Sequence, residues 1–296
     1  MQSVISFRSV FYGDQNGLHF TKTHQTIGRF RRKPSTLSVS AVSSETTLPE
    51  GHDVIKRALA TRALGRVKSG MVIGLGTGST ASLAIEELGK LIRQGKLKDV
   101  VGVGANYQSK VLARQFGVKT VDLNDVNQID IAFDGVDEVD FNKNMLKGGG
   151  AAHTMQKVVD SVAKECIILA DQSKVVLQLG STCPVPVEVI PGAISPVLRR
   201  LVSLGGIPEI RSALRKDGPV ITDLGNMIVD VSFPGGIQDP AELEKNINTI
   251  PGVVENGIVS GVATSVLVAV EDGAKIEVLD LSEFIKIIKN QAEVHT

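Results

Sequence analysis

The segment from Met71 to Thr80, Met-Val-Ile-Gly-Leu-Gly-Thr-Gly-Ser-Thr, constrains this chain most. An apolar run enters a turn carrying Gly74, Gly76 and Gly78, and hydroxyls then open a helix whose apolar stripe is Ala84, Leu88, Leu91 and Ile92. Glycines let the backbone take tight turns and approach a ligand closely. The free amides and positive dipole end of the helix attract an anion, and Thr77, Ser79 and Thr80 add hydroxyl donors. A phosphorylated small molecule is the natural guest. A dinucleotide fingerprint asks for glycine at position 79, where Ser79 stands, and no Gly-Lys-Ser/Thr closes the turn as in a P-loop. A nicotinamide or flavin site and a plain helix–strand packing turn remain the other readings.

The rest of the chain continues the alternation. A helix starting at Gly51-His52-Asp53 carries Ile55, Leu59, Ala63 and Val67 at helical spacing, before a strand at 71–74 and a helix at 80–94. Val100–Val103, Val118–Leu123 and Ile129–Phe133 are β-branched runs, with a helical stretch at Ser109–Phe116 between the first two. A helix at 151–164 and an apolar strand at Cys166–Ala170 extend the pattern, which predicts a mostly parallel sheet covered by helices. Near Ser181 the order changes to strand (Val185–Ile190), helix (Ser195–Leu204), two strands (Glu209–Leu214, Met227–Phe233), helix (Asp239–Ile250) and strand (Val253–Val259). This βαββαβ order predicts a split-βαβ, ferredoxin-like insert. Val262–Val270 and Lys275–Leu279 read as strands returning to the first domain, and Leu281, Phe284, Ile285 and Ile288 as one face of a closing helix, for packing or an oligomer contact. The expected fold is therefore α/β, a mostly parallel, helix-covered domain of residues 45–180 plus 257–296 interrupted by the βαββαβ domain of residues 181–256.

Composition narrows the partners. With 32 basic and 32 acidic residues and no Trp, the chain lacks the basic excess of a nucleic-acid surface. Cys166 and Cys183, the two cysteines, lack metal-ligand spacing. No run reaches the roughly 20 apolar residues that span a bilayer. The neutral total conceals an uneven start, because residues 1–44 hold six basic residues (Arg8, Lys22, Arg29, Arg31, Arg32, Lys33) against Asp14. Rich in Ser and Thr and free of a long apolar run, this segment reads as a disordered transit peptide, plastid rather than mitochondrial. The chloroplast stroma is the expected location.

Two further segments carry chemistry. Phe133-Asp134-Gly135-Val136-Asp137-Glu138 follows an apolar strand, so its carboxylates belong at the carboxyl end of the sheet, where open α/β folds bind ligands. Met145-Leu146-Lys147-Gly148-Gly149-Gly150 precedes a helix. Three successive glycines cost much backbone entropy, which a close approach to a ligand explains, and Lys147 supplies a compact charge for an oxyanion.

Together, Gly76-Thr77-Gly78-Ser79-Thr80, Asp134-Gly135-Val136-Asp137-Glu138, Lys147-Gly148-Gly149-Gly150, Ala170-Asp171-Gln172-Ser173-Lys174 and Pro184-Val185-Pro186-Val187-Glu188-Val189 resemble, in order and spacing, the type A ribose-5-phosphate isomerases over roughly residues 50–280. The resemblance implies interconversion of ribose 5-phosphate and ribulose 5-phosphate through an enediolate, without metal or organic cofactor, in a homodimer or tetramer, and a Rossmann-like main domain with an inserted ferredoxin-like domain, in agreement with the element order. By position, Lys56, Thr77, Gly78, Ser79, Thr80, Asp134, Gly135, Val136, Asp137, Lys147, Gly148, Gly149, Gly150 and Lys174 would contact substrate. Asp134, Asp137 and Lys147 would also serve the chemistry, the aspartates relaying hydroxyl protons and the lysine stabilising oxyanion charge.

One position departs from the family. The helix after the glycines normally carries a glutamate as general base six residues past the last glycine, and this chain has Gln156 there. A primary amide does not take up a proton at neutral pH, and loss of a general base typically costs about 10²–10⁴ in rate. His153, three residues earlier on the same helical face, is either a substitute base or a buried histidine without catalytic role. Three functions follow: an active isomerase of the pentose-phosphate pathway, a catalytically weak or inactive sugar-phosphate-binding regulatory paralogue, and a related amino-sugar-phosphate deaminase. Gln156 alone favours the second.

Overall fold

A computed structural model describes residues 50–272 and 275–294; the basic leading segment 1–44 lies outside the described residues. Helix α1 (Glu50–Leu64) leads into β1 (Val72–Leu75), α2 (Gly78–Arg93), β2 (Val101–Gly104), α3 (Tyr107–Gln115), β3 (Lys119–Thr120) and β4 (Ile129–Gly135). The short β5 (Glu138–Val139) and β6 (Met145–Leu146) precede α4 (His153–Ser161) and β7 (Ala163–Asp171). Next come β8 (Val185–Val189), α5 (Ile194–Ser203), β9 (Ile207–Ile210), β10 (Met227–Ser232), α6 (Pro240–Asn248) and β11 (Val253–Asn256). The chain returns through β12 (Ile258–Val259), β13 (Ser265–Asp272), β14 (Lys275–Asp280) and α7 (Leu281–Val294).

The central sheet has the order β14-β13-β7-β4-β1-β2-β3 and is parallel except for β14. Strands β1 to β3 build outward on one side of β1, and the chain then crosses to lay β4 on the other. The sheet therefore has its topological switch point between β1 and β4, and the crevice beyond their carboxyl ends is where such sheets bind ligands. Both faces are covered, as a parallel sheet requires. On one, Leu59 of α1 and Ala84, Ile85 and Leu88 of α2 pack on Ile73, Ile131, Phe133 and Leu267. On the other, Phe284 of α7 joins Cys166, Ile168, Val266 and Val268, and Val159 of α4 joins Val103, Ile129 and Ala132. Each Val, Leu, Ile or Phe side chain among them contributes about 1.5–3 kcal/mol by leaving water.

The insert forms a separate antiparallel sheet, β11-β8-β10-β9, the strand order of a ferredoxin-like βαββαβ unit. Val197 and Leu201 of α5 and Ile247 of α6 pack on Val187 and Val229. Asp239 caps α6 by accepting from the Glu242 amide at 3.0 Å, with Pro240 at the first helical position. The protein is thus α/β, with a mostly parallel Rossmann-like sheet and an inserted ferredoxin-like sheet.

Some boundaries differ from the sequence reading. The helix expected over 151–164 covers only His153–Ser161, and β7 begins at Ala163 because that residue already pairs with Ile129 of β4. The strand expected over Glu209–Leu214 is β9, Ile207–Ile210. The single strand expected over Val253–Val259 breaks at Gly257, whose amide donates to the Pro186 carbonyl at 2.7 Å while its own carbonyl accepts from the Lys147 amide at 2.8 Å. A Cβ there would stand 2.1 Å from the Lys147 carbonyl oxygen, so only glycine fits. Beyond it the chain joins an unforeseen third sheet, β12-β6-β5, which fixes Lys147 between two sheets.

Candidate functional site

At the switch point lies a cavity of about 380 Å³. Its walls contain Lys56 of α1; Thr77, Gly78, Ser79 and Thr80 at the start of α2; Gly135, Val136 and Asp137 after β4; and Lys147, Gly148, Gly149 and Gly150 after β6. Gln156 of α4 and Lys174 complete the residues anticipated from sequence. Segments distant in the chain thus converge at the edge of the sheet where β1 and β4 are neighbours and each ends in a loop. The first-turn amides of α2, at Gly78, Ser79 and Thr80, have no intrahelical acceptor within reach of an α-helical bond, and they face this crevice with the positive helix end.

Asp134 is placed differently from the expectation that it touches ligand. It is fully buried one layer beneath the wall. Its Oδ1 accepts from the Gly135 amide at 2.7 Å and the Thr77 amide at 3.1 Å, so it ties the β4 loop to the α2 turn. Gly76 is needed for that contact: an added Cβ would sit 2.3 Å from the Asp134 carboxyl carbon. This glycine therefore serves close packing of turn against carboxylate rather than approach to a ligand. Gln156 Nε2 donates to both Asp134 oxygens, at 3.0 and 2.9 Å. Lys147 Nζ completes the shell, 2.8 Å from Oδ2, and donates to the Gly135 carbonyl at 2.5 Å. Burial, the largest single influence, works to lower the Lys147 ammonium's pKa, but the surrounding acids, Asp134 first and Asp160 next, together with the Asp134 hydrogen bond outweigh it and hold the group above the ordinary lysine range.

The neighbouring acids have other tasks. Asp137 lines the cavity and its Oδ2 accepts from the Gly149 amide at 2.8 Å, which shapes the glycine loop. Glu138 is buried away from it, accepting from the Gly180 amide at 2.6 Å, the Thr182 hydroxyl at 2.6 Å and the Cys183 amide at 3.1 Å. One motif thus supplies a floor carboxylate, a wall carboxylate and a loop anchor.

His153 is not brought to the cavity. It is completely buried, with Nε2 3.3 Å from the Glu255 carbonyl oxygen, and burial lowers its pKa so that it is neutral. Helical spacing put it on the face of Gln156, but the start of α4 turns that first position under the insert. A substitute-base role is excluded by this placement, since a base must reach the proton it takes.

Four wall residues escaped the sequence reading: Asn106, Gln108, Asp171 and Ser173. Asn106 caps α3, accepting from the Ser109 amide at 2.8 Å, and this cap signal at the end of β2 could have located it beside the switch point. Asp171 and Ser173 lie in the Ala170–Lys174 motif, from which only Lys174 was carried forward. Arg211, just after β9, was also missed. Its guanidinium reaches across from the insert to the carbonyls of Gly148 and Gly149 at 2.9 and 3.1 Å, and Asp230 holds it bidentately at 2.5 and 2.7 Å.

A doubly wound sheet with a polar, lysine-bearing crevice at its switch point defines the class of α/β proteins that hold a small anionic ligand there. Within that class the chain belongs to the ribose 5-phosphate isomerase A (phosphoriboisomerase A) family, whose model matches residues 101–273. It is 55% identical over 214 residues to ribose-5-phosphate isomerase A of Thermosynechococcus vestitus, covering 72% of this chain and 90% of that one. It is 50% identical to the Trichodesmium erythraeum protein of the same name, covering 75% and 93%. Among solved structures, the ribose 5-phosphate isomerase A of Methanocaldococcus jannaschii superposes with a TM-score of 0.73 at 48% identity, over 77% of this chain and 99% of that one. A D-ribose-5-phosphate isomerase in complex with phospho-erythronic acid superposes with a TM-score of 0.74 at 43% identity, over 77% and 98%.

Proposed function

We propose that this protein is an aldose–ketose isomerase that interconverts ribose 5-phosphate and ribulose 5-phosphate. The observation that carries the reading is the wall of Lys147, Asp137 and the α2 amino terminus around one cavity at the switch point, in a chain of this family. The phosphate binds the α2 amides with the hydroxyls of Thr77, Ser79 and Thr80, and Lys56 and Lys174 add positive charge. Moving a proton between C1 and C2 passes through an enediolate, whose charge Lys147 and the glycine-loop amides stabilise. A relative holds phospho-erythronic acid, a sugar-acid phosphate whose planar carboxylate matches an enediolate in shape and charge.

Gln156 cannot act as a carboxylate base, so we assign the carbon proton to Asp137, a carboxylate of the same cavity wall. The reaction needs no metal or organic cofactor, and the chain acts as a homodimer or tetramer. The composition of residues 1–44 supports import into the chloroplast stroma.

The test is a coupled assay for ribulose 5-phosphate formation by residues 45–296, beside a thermal-shift titration with ribose 5-phosphate. At a hundredfold excess over Kd the ligand should add about 2.7 kcal/mol of stability. A thermal shift without turnover identifies a sugar-phosphate-binding paralogue. A shift with NAD and none with ribose 5-phosphate overturns the assignment.

A further inference from the structure

Beneath the cavity floor sits a carboxyl group that the reaction as described does not use. Asp160 lies one turn past Gln156 on α4 and is 1% exposed, and neither of its oxygens has a hydrogen-bond partner. Its Oδ2 is 3.8 Å from Lys147 Nζ, the ammonium already engaged by Asp134 at 2.8 Å. A carboxylate in such a place would be desolvated, weakly paired and set against a second carboxylate, a combination that buried charges do not tolerate without compensation. The groups that face it are Asp134 from β4, Lys147 from the end of β6 and Cys166 from β7, whose thiol burial pushes far above its ordinary range. Gln156 closes the ring with an uncharged amide. The floor therefore contains one ammonium and two carboxyl groups.

We propose that Asp160 is a positioning residue that sets, through Lys147 and Asp134, the charge of the cavity floor and hence the pH range over which the site can stabilise an enediolate. Burial first, and the charge of Asp134 next, push the Asp160 carboxyl well above the usual carboxylate range. With Asp160 protonated the floor is neutral, and Lys147 can lend its field to an oxyanion. When Asp160 ionises the floor carries one net negative charge, directly below the place where the reaction develops another. Because Asp160 does not line the cavity, its ionisation weakens transition-state stabilisation more than binding of the sugar itself.

The inference rests on the isomerase reading, and its test separates the two. Infrared spectra of wild type and Asp160→Asn, taken between about pH 5 and 10, read the protonated-carboxyl stretch of Asp160 directly. In parallel, kcat, KM and the Kd of phospho-erythronic acid are measured over the same range. Wild type should show the protonated band at neutral pH. As the band disappears, kcat and the affinity for phospho-erythronic acid should each fall by about tenfold or more while KM stays level. Asp160→Asn should lack both the band and the decline. If Asp160→Asn does not fold, Asp160→Ala makes the same comparison without an amide beside Asp134. Superimposable pH profiles of wild type and variant, or an Asp160 already ionised at neutral pH, overturn the proposal. Absence of turnover at every pH, with the band and the phospho-erythronic acid profile as expected, overturns the isomerase reading and leaves the role of Asp160 in floor charge standing.

Discussion

Gln156 and Asp134 are joined by one amide nitrogen that donates to both carboxylate oxygens, at 3.0 and 2.9 Å, so the position at which the sequence resemblance places a base is here a donor to a buried acid. Replacing the amide by a carboxylate removes these donors and sets two acids face to face. Gln156→Glu should therefore lower Tm, while raising kcat about tenfold or more with little change in KM, because a base acts on the transition state. The new carboxyl's pKa is raised by its neighbour, so the gain should grow toward alkaline pH. An unchanged kcat across the profile would exclude position 156 as a site of carbon-proton transfer in this chain.

Lys147→Met should abolish both the thermal shift with ribose 5-phosphate and turnover. It should also destabilise the protein by about 3–5 kcal/mol, because Asp134 loses its buried counter-charge. Urea unfolding measures the second effect, and a loss of activity at unchanged stability would show that the ion pair contributes nothing to the fold.

Arg211→Lys keeps a positive charge but cannot span Asp230 and two glycine carbonyls at once. The expected result is a KM for ribose 5-phosphate raised about tenfold with a smaller change in kcat, since on the proposed function the loop that Arg211 holds binds substrate before the reaction begins. Steady-state kinetics decides it.

Asp160 gives stability a pH dependence of definite sign. Its folded-state pKa is raised well above the ordinary aspartate value of 3.8 by burial and by Asp134, so above pH 3.8 the folded protein retains a proton that the unfolded chain releases. That contribution is lost as pH rises toward the folded pKa, with a limiting slope of about 1.4 kcal/mol per pH unit. Asp160→Asn should therefore raise Tm, and by more at pH 7 than at pH 4.5. An increment independent of pH would mean that Asp160 is ionised in the folded protein.

The parts of the site legible in the sequence were those written in consecutive residues. The turn at Gly76–Thr80, the acids at Asp134 and Asp137 and the run Lys147–Gly150 each announce a loop at a strand end, and alternation alone orders the strands into a parallel sheet. What remained hidden depends on distant pairing. Strands of two residues such as β5, β6 and β12 carry no periodicity, so the sheet that fixes Lys147 leaves no pattern. Ala163-Lys164 reads as the end of a helix, and only pairing with β4 makes it strand. His153 and Asp160 show why helical spacing alone could not assign roles on α4: both share a face with Gln156, yet one is carried under the insert and the other under the floor.

The grip of Arg211 on the glycine loop also ties assembly to competence. The loop belongs to the first half of the chain, whereas its guanidinium anchor is presented by a sheet translated some sixty residues later. A nascent chain that has passed Lys174 but not yet formed β9 and β10 holds every lysine, serine and aspartate assigned to the pocket, with the glycine carbonyls still unclamped. On the proposed function, ligand capture should therefore wait until the insert has folded, and a ligand-dependent rise in Tm should report the union of both sheets rather than the integrity of either alone.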